Sequence, residues 1–99
     1  MNKIKILMVE PKKSPYLADI GDDLKSMQEV VGGYIETVTL SDTAVIICNE
    51  EGKRLRLEAN RKLVGDILVG TFFVAGYRGE EFASLPGADI EKYAKQFKI

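Results

Sequence analysis

Residues Leu68 to Val74 read Leu-Val-Gly-Thr-Phe-Phe-Val, apolar on both of the alternating faces that an extended chain presents. Such a strand cannot lie against water. Each face needs a covering layer from the same chain or from a second copy. The chain has 99 residues for the task, which fits one domain with a modest core. At the C-terminus Ile90, Tyr93, Ala94 and Phe97 have the i, i+3, i+4, i+7 spacing of an amphipathic helix that can cover one face. Two solutions compete for the other face. In the first, an N-terminal helix and the Pro11–Gly21 connection cover it. In the second it stays open and a homodimer closes it, with Phe73 at a two-fold interface.

The remaining pattern places the elements. Lys3 to Val9 alternates at first and then turns apolar on both faces, which predicts a strand. Pro11 and Pro15 close it and open a polar connection through Gly21. Asp22 and Asp23 precede Leu24, Met27, Val30 and Val31 at helical spacing, and Gly32 is a natural stop, so a short helix spans about residues 23–31. Strands follow at about 34–40 and 44–49, joined by the turn Ser41-Asp42-Thr43. Arg54 to Leu57 reads as a short strand and Glu58-Ala59-Asn60-Arg61 as a loop or single helical turn. Ile67 to Ala75 is a strong strand signal interrupted at Gly70. Gly76 to Gly79 turns the chain, Glu81 to Leu85 returns, and Gly87 or Asp89 caps the last helix. This order predicts one α+β domain over residues 1–99, a mostly antiparallel twisted sheet with two short helices packed on it. The expected core includes Ile6, Leu24, Met27, Val38, Val45, Ile47, Leu68, Phe72, Tyr93 and Phe97.

Composition excludes several functions. The formal net charge is −1, without the basic excess of a duplex-DNA binder or the acidic excess of a DNA mimic. Cys48 is the single cysteine and there is no histidine, so neither an intramolecular disulfide nor a histidine-activated nucleophile can form. Metal chemistry would fall to carboxylates alone. No run approaches the roughly 18 apolar residues of a membrane span, and the N-terminal stretch is too short for a signal peptide. A soluble cytoplasmic protein is the expectation.

Three segments together carry a resemblance. They are Met27-Gln28-Glu29-Val30-Val31-Gly32-Gly33-Tyr34-Ile35-Glu36, then Cys48-Asn49-Glu50-Glu51-Gly52-Lys53 through Asn60-Arg61, then Gly65-Asp66-Ile67-Leu68-Val69-Gly70-Thr71-Phe72. Phe82-Ala83-Ser84-Leu85 and Ile90-Glu91-Lys92-Tyr93 fit as well. The chain resembles the domain of unknown function 3846 family of small bacterial, phage and mobile-element proteins. The resemblance implies small size, a cytoplasmic location and a mobile-element context. It supplies no catalytic residue and no cofactor.

The polar group Asn49, Glu50, Glu51, Asn60, Arg61 and Asp66 is the candidate site. Arg61 can grip a phosphate or carboxylate in bidentate fashion, and asparagines can bond a ligand or backbone. The competing reading makes Asn49 and Asp66 turn residues and Arg61 a loop salt bridge. Tyr34 and Glu36 stand beside the group. Gly32-Gly33 follows a helix instead of opening one, so it is not a phosphate loop. Three function classes remain: a non-enzymatic binding or accessory protein with a protein or small-molecule partner, a carboxylate-dependent hydrolase or nuclease using Glu36 or Asp66, and a single-stranded nucleic-acid binder using Tyr34 and the basic run Lys53–Lys62.

Overall fold

In a computed structural model describing residues 2–99, the Phe72–Val74 part of the doubly apolar run lies at the centre of the main sheet. The elements in chain order are β1 Lys3–Val9, β2 Tyr16–Gly21, α1 Leu24–Val31, β3 Ile35–Thr39, β4 Ala44–Asn49, β5 Ala59–Leu63, β6 Asp66–Val69, β7 Phe72–Arg78, β8 Glu81–Ala83 and α2 Gly87–Gln96. The main sheet runs β2-β1-β7-β4-β3, with β8 also paired to β7. β5 and β6 form a separate hairpin. Every pairing among the described residues is antiparallel, so the α+β expectation holds.

Both faces of β7 are covered, each by a different layer. Phe73 and Ala75 meet Met27 and Val31 of α1 together with Ile4, Ile6, Met8, Val45 and Ile47. Phe72 and Val74 meet Tyr93 of α2 and Phe97 just beyond it, with Leu68 of the hairpin, Leu7, Val9 and Ile46. The Phe72 and Phe97 rings meet edge to face at 5.3 Å, a favoured aromatic arrangement. The result is three layers: α1, the sheet, and α2 beside the β5–β6 hairpin. Phe73 has no exposed surface. The uncovered face on which a Phe73 interface depended is therefore filled by α1.

Local chemistry sets the helix ends. Asp23 accepts hydrogen bonds from the Ser26 amide at 3.1 Å and the Ser26 hydroxyl at 2.7 Å, capping α1. Those bonds hold the Asp23 carboxyl below its ordinary pKa. Gly32 closes α1 at φ 81°, with its amide and that of Gly33 donating to the Gln28 carbonyl. α2 differs from expectation at its start. Its cap is Pro86, which offers no side-chain bond, while Gly87 and Asp89 lie inside the first turn. Asp89 instead accepts from Thr43 at 2.7 Å, tying the β3–β4 turn to α2.

The structure corrects the expected strands in several places. The Pro11–Gly21 connection contains β2, an edge strand set directly after Pro15, where proline removes no ladder bond. Its Ala18 and Ile20 pack toward α1. Arg54–Arg56 is a turn, with Arg56 at φ 58°, and Leu57 follows it outside any strand, while Ala59-Asn60-Arg61 is the start of β5 instead of a loop. Ile67–Ala75 is two strands in two sheets. Gly70, at φ 73°, takes the chain from the hairpin into the main sheet. Gly76–Arg78 continues β7, and the turn comes after it. Leu24 is 56% exposed, because the first residue of a helix has no preceding turn to cover. Val38 is half-buried at the rim of the α2-side core.

Gly76 marks the closest backbone approach. A Cβ there would meet the Ser84 carbonyl well inside van der Waals contact, where β8 crosses against β7. Gly76→Ala should therefore lower stability by about 1–3 kcal/mol through overpacking. Phe73→Ala, which opens a cavity between β7 and α1, should lower it by about 3–5 kcal/mol. Gly87→Ala, with no neighbour near its Cβ, should stay within about 0.5 kcal/mol. Urea unfolding of the three variants measures all of these. A full-stability Gly76→Ala protein would contradict the close packing of β7 on β8.

Candidate functional site

The candidate residues fall into two groups with different duties. Asn60 and Arg61, at the start of β5, form a clamp. The Asn60 side-chain amide donates to the Val9 carbonyl at 2.9 Å and the Gly70 carbonyl at 2.8 Å. Its oxygen accepts from Arg61 Nη1 at 2.7 Å. Arg61 Nε donates to the Phe97 carbonyl at 2.6 Å, Nη1 also to the Asn60 carbonyl at 3.2 Å, and Nη2 to the Lys13 carbonyl at 2.5 Å. One guanidinium thus joins β5, the end of α2 and the loop after β1. Its charge also faces the negative end of α2. No carboxylate pairs with Arg61 among the described residues, and burial lowers its pKa while leaving it charged. The side chain read as a phosphate grip is used on backbone carbonyls.

Asn49 is likewise structural. It is a buried polar residue at the end of β4. Its side-chain amide donates to the Val31 carbonyl at 3.0 Å, satisfying one of the open carbonyls at the end of α1. Its oxygen accepts the Glu51 amide at 2.8 Å. Asn49 therefore locks α1, β4 and the following turn together.

The second group surrounds a cavity of about 360 Å³. Glu36 and Val38 of β3, Cys48 and Asn49 of β4, the Glu50–Arg54 turn and Asp66–Val69 of β6 line it. Glu36, Asn49, Glu50 and Asp66 thus share one cavity, whereas Asn60 and Arg61 do not line it. Tyr34 is 66% exposed, and its carbonyl accepts the Glu50 amide at 2.8 Å at the start of β3. Asp66 pairs with Lys53, and that bond holds its carboxyl below the ordinary range. Arg54 pairs with Glu51. The sequence does not reveal these two pairings, since each partner looks like a turn or surface charge.

Cys48 lies among the lining residues, with its thiol directed to the Glu36 carbonyl at 3.6 Å. Burial, with the charges of Glu36 and Asp66 adding, pushes the thiol up to about 11. At neutral pH it is a protonated, poorly nucleophilic group. The basic run is divided as well. Lys53 and Arg54 are ion-paired and Arg61 is in the clamp, which leaves Arg56 and Lys62 without an ion-pair partner among the described residues. Among the described residues no three histidine, cysteine or carboxylate groups converge to hold a metal, and no helix is long and apolar enough to cross a membrane.

The fold and cavity define a small three-layer α+β protein with a concave acidic corner beside an edge strand. The chain belongs to the family described as Domain of unknown function (DUF3846), whose model matches residues 4–98. No curated protein and no solved structure matches the chain. The family match spans both the clamp and the cavity.

Two measurements test these assignments. Arg61→Ala should lower stability by about 2–3 kcal/mol, the worth of charged hydrogen bonds, and Arg61→Lys should not restore it because an ammonium cannot reproduce the fork. Wild-type stability in Arg61→Lys would remove the clamp. Cys48 should react with a disulfide reagent at pH 8 only as fast as the protein opens. Its folded pKa lies above the unfolded value of 9.0. The corresponding stability is complete below about 9 and is lost as pH rises toward about 11. Rapid labelling of the folded protein would contradict the buried thiol.

Proposed function

We propose that the chain is a non-enzymatic binding or accessory module that works by holding a partner, in the bacterial, phage or mobile-element setting that the family resemblance implies. The supporting observation is how the reactive side chains are committed. Cys48 is a suppressed thiol, Arg61 is spent on backbone carbonyls, and Asp66 is held ionised by Lys53. General acid–base chemistry needs two carboxylates with pKa values driven apart, one of them upward. Asp66 is driven downward. What remains open on the same face is a cavity and the edge of β3, features suited to holding a ligand. A cytoplasmic location belongs to the same reading, and fractionation of the native host tests it.

The hydrolase or nuclease alternative gives the decisive test. Purified protein is incubated with single-stranded DNA, RNA and activated esters, with magnesium or manganese added. The expected result is no turnover above the blank, unchanged in Glu36→Gln and Asp66→Asn. Metal-dependent turnover lost in either variant would overturn the binding reading. Salt-sensitive binding of oligonucleotides without turnover would place the module among single-stranded nucleic-acid binders.

A further inference from the structure

Three strands of the main sheet, β2, β3 and the three-residue β8, bond to only one other strand among the described residues, and of these β2 and β3 are long enough to offer a full edge. Such an edge presents a row of unpaired N–H and C=O groups. Proteins usually blunt it with proline, lysine, a bulge or a covering segment. β2 has Pro15 directly before it and Asp19 in an ion pair with Lys5 at its middle. β3 reads Ile-Glu-Thr-Val-Thr, with no proline, lysine or glycine, and its register against β4 is unbroken from Ile35 to Thr39.

The bonding direction along β3 follows from its ends. The Glu50 amide donates to the Tyr34 carbonyl, and the Leu40 amide donates to the Ala44 carbonyl. Antiparallel bonding alternates residue by residue, so Glu36 and Val38 bond to β4 as well. The backbone groups of Ile35, Thr37 and Thr39 therefore point outward. The side chains of Glu36 and Val38 stand on the face that holds the cavity. A strand added along β3 projects every second side chain onto that face, next to the cavity.

Charge selects the occupant. The lining carries the carboxylates Glu36, Glu50, Glu51 and Asp66 and the cations Lys53 and Arg54, four against two, an excess of two negative charges. Lys53 and Arg54 are taken by Asp66 and Glu51. Glu36 and Glu50 have no cationic partner among the described residues.

We propose that β3 accepts an extended basic segment of a partner protein as an added strand, with lysine or arginine side chains set against Glu36 and Glu50. The proposal rests on the binding-module reading and adds the chemistry of the partner. Backbone bonds to Ile35, Thr37 and Thr39 hold the segment, and the acidic corner selects its side chains. A second copy is the poorer occupant. Its own β3 would bring another Glu36 and no cation to an already acidic mouth.

The test uses the full chain and three short blocked peptides. One alternates threonine with lysine, one replaces the lysines by glutamates, and one is the lysine peptide N-methylated at alternate residues so that it cannot pair. Amide hydrogen exchange and NMR titration follow binding. The lysine peptide should slow exchange at Ile35, Thr37 and Thr39 and weaken with added salt. The glutamate peptide should bind about tenfold more weakly, and the methylated peptide should give no protection. Glu36→Lys, a change at an exposed position, should reverse the preference between the two charged peptides. Protection at β2 instead, equal binding of the glutamate peptide, or no binding of the lysine peptide would overturn the proposal. Protection of β3 that grows with protein concentration alone would overturn it in favour of a second copy. These outcomes leave the binding-module reading intact, whereas metal-dependent turnover would remove that reading and leave the peptide map unchanged.

Discussion

Strand β7 must be kept from water on both faces, and the rest of the molecule is arranged around that requirement. Phe72, Phe73, Val74 and Ala75 have no exposed surface. Adjacent positions point to opposite sides, so a single covering layer would leave half of them wet. The chain therefore places α1 over one side and divides the other between α2 and the β5–β6 hairpin. With β7 central, β1 and β4 become its neighbours and β2 and β3 become the edges. The free edge beside the acidic cavity is a consequence of the same arrangement.

A hairpin and a helix sharing one face need something to hold them in place, because apolar contact is non-directional. Asn60 and Arg61 supply direction. Their side chains bond the carbonyls of Val9, Gly70, Phe97 and Lys13, which belong to three separate stretches of chain. Asn49 does the same on the other side, joining the end of α1 to the end of β4. In each case a side chain that looks ready to bind a ligand is used on backbone carbonyls. The cavity keeps the residues that these duties leave over, chiefly Glu36 and Glu50.

Much of the fold was legible in the residues. The short helix before Gly32, the strands on either side of Ser41-Asp42-Thr43 and the amphipathic C-terminal helix all occur close to where the periodicity places them. β2 was not legible, because Pro11 and Pro15 lie just before it and its residues are exposed or half-buried, as on an edge. β5 was hidden for a related reason. Ala-Asn-Arg-Lys-Leu carries no strand-like alternation strong enough to read, and it is held as a strand by β6 and by the Asn60 and Arg61 bonds. Within the candidate site, the structure sets Asn49 and Asp66 on one cavity, a placement that their positions at strand ends do not fix. The separation of Asn60 and Arg61 from them was not legible either.

The sequence by itself determined the quantities that depend on near neighbours. These are where apolar periodicity demands cover, where Asp23 starts a helix and Gly32 stops it, and that no histidine base exists for Cys48. Only the tertiary structure decided which strand lies beside which, that Phe73 is roofed by α1, and that Arg61 reaches the Phe97 carbonyl 36 residues away while Asn60 reaches that of Val9 across 51. The physical reason is one of range. Periodicity and capping act over a few bonds and leave a local mark in the chain. A hydrogen bond between distant segments is set by how layers of apolar surface stack, and any of several carbonyls could have received it until the fold brought one within reach.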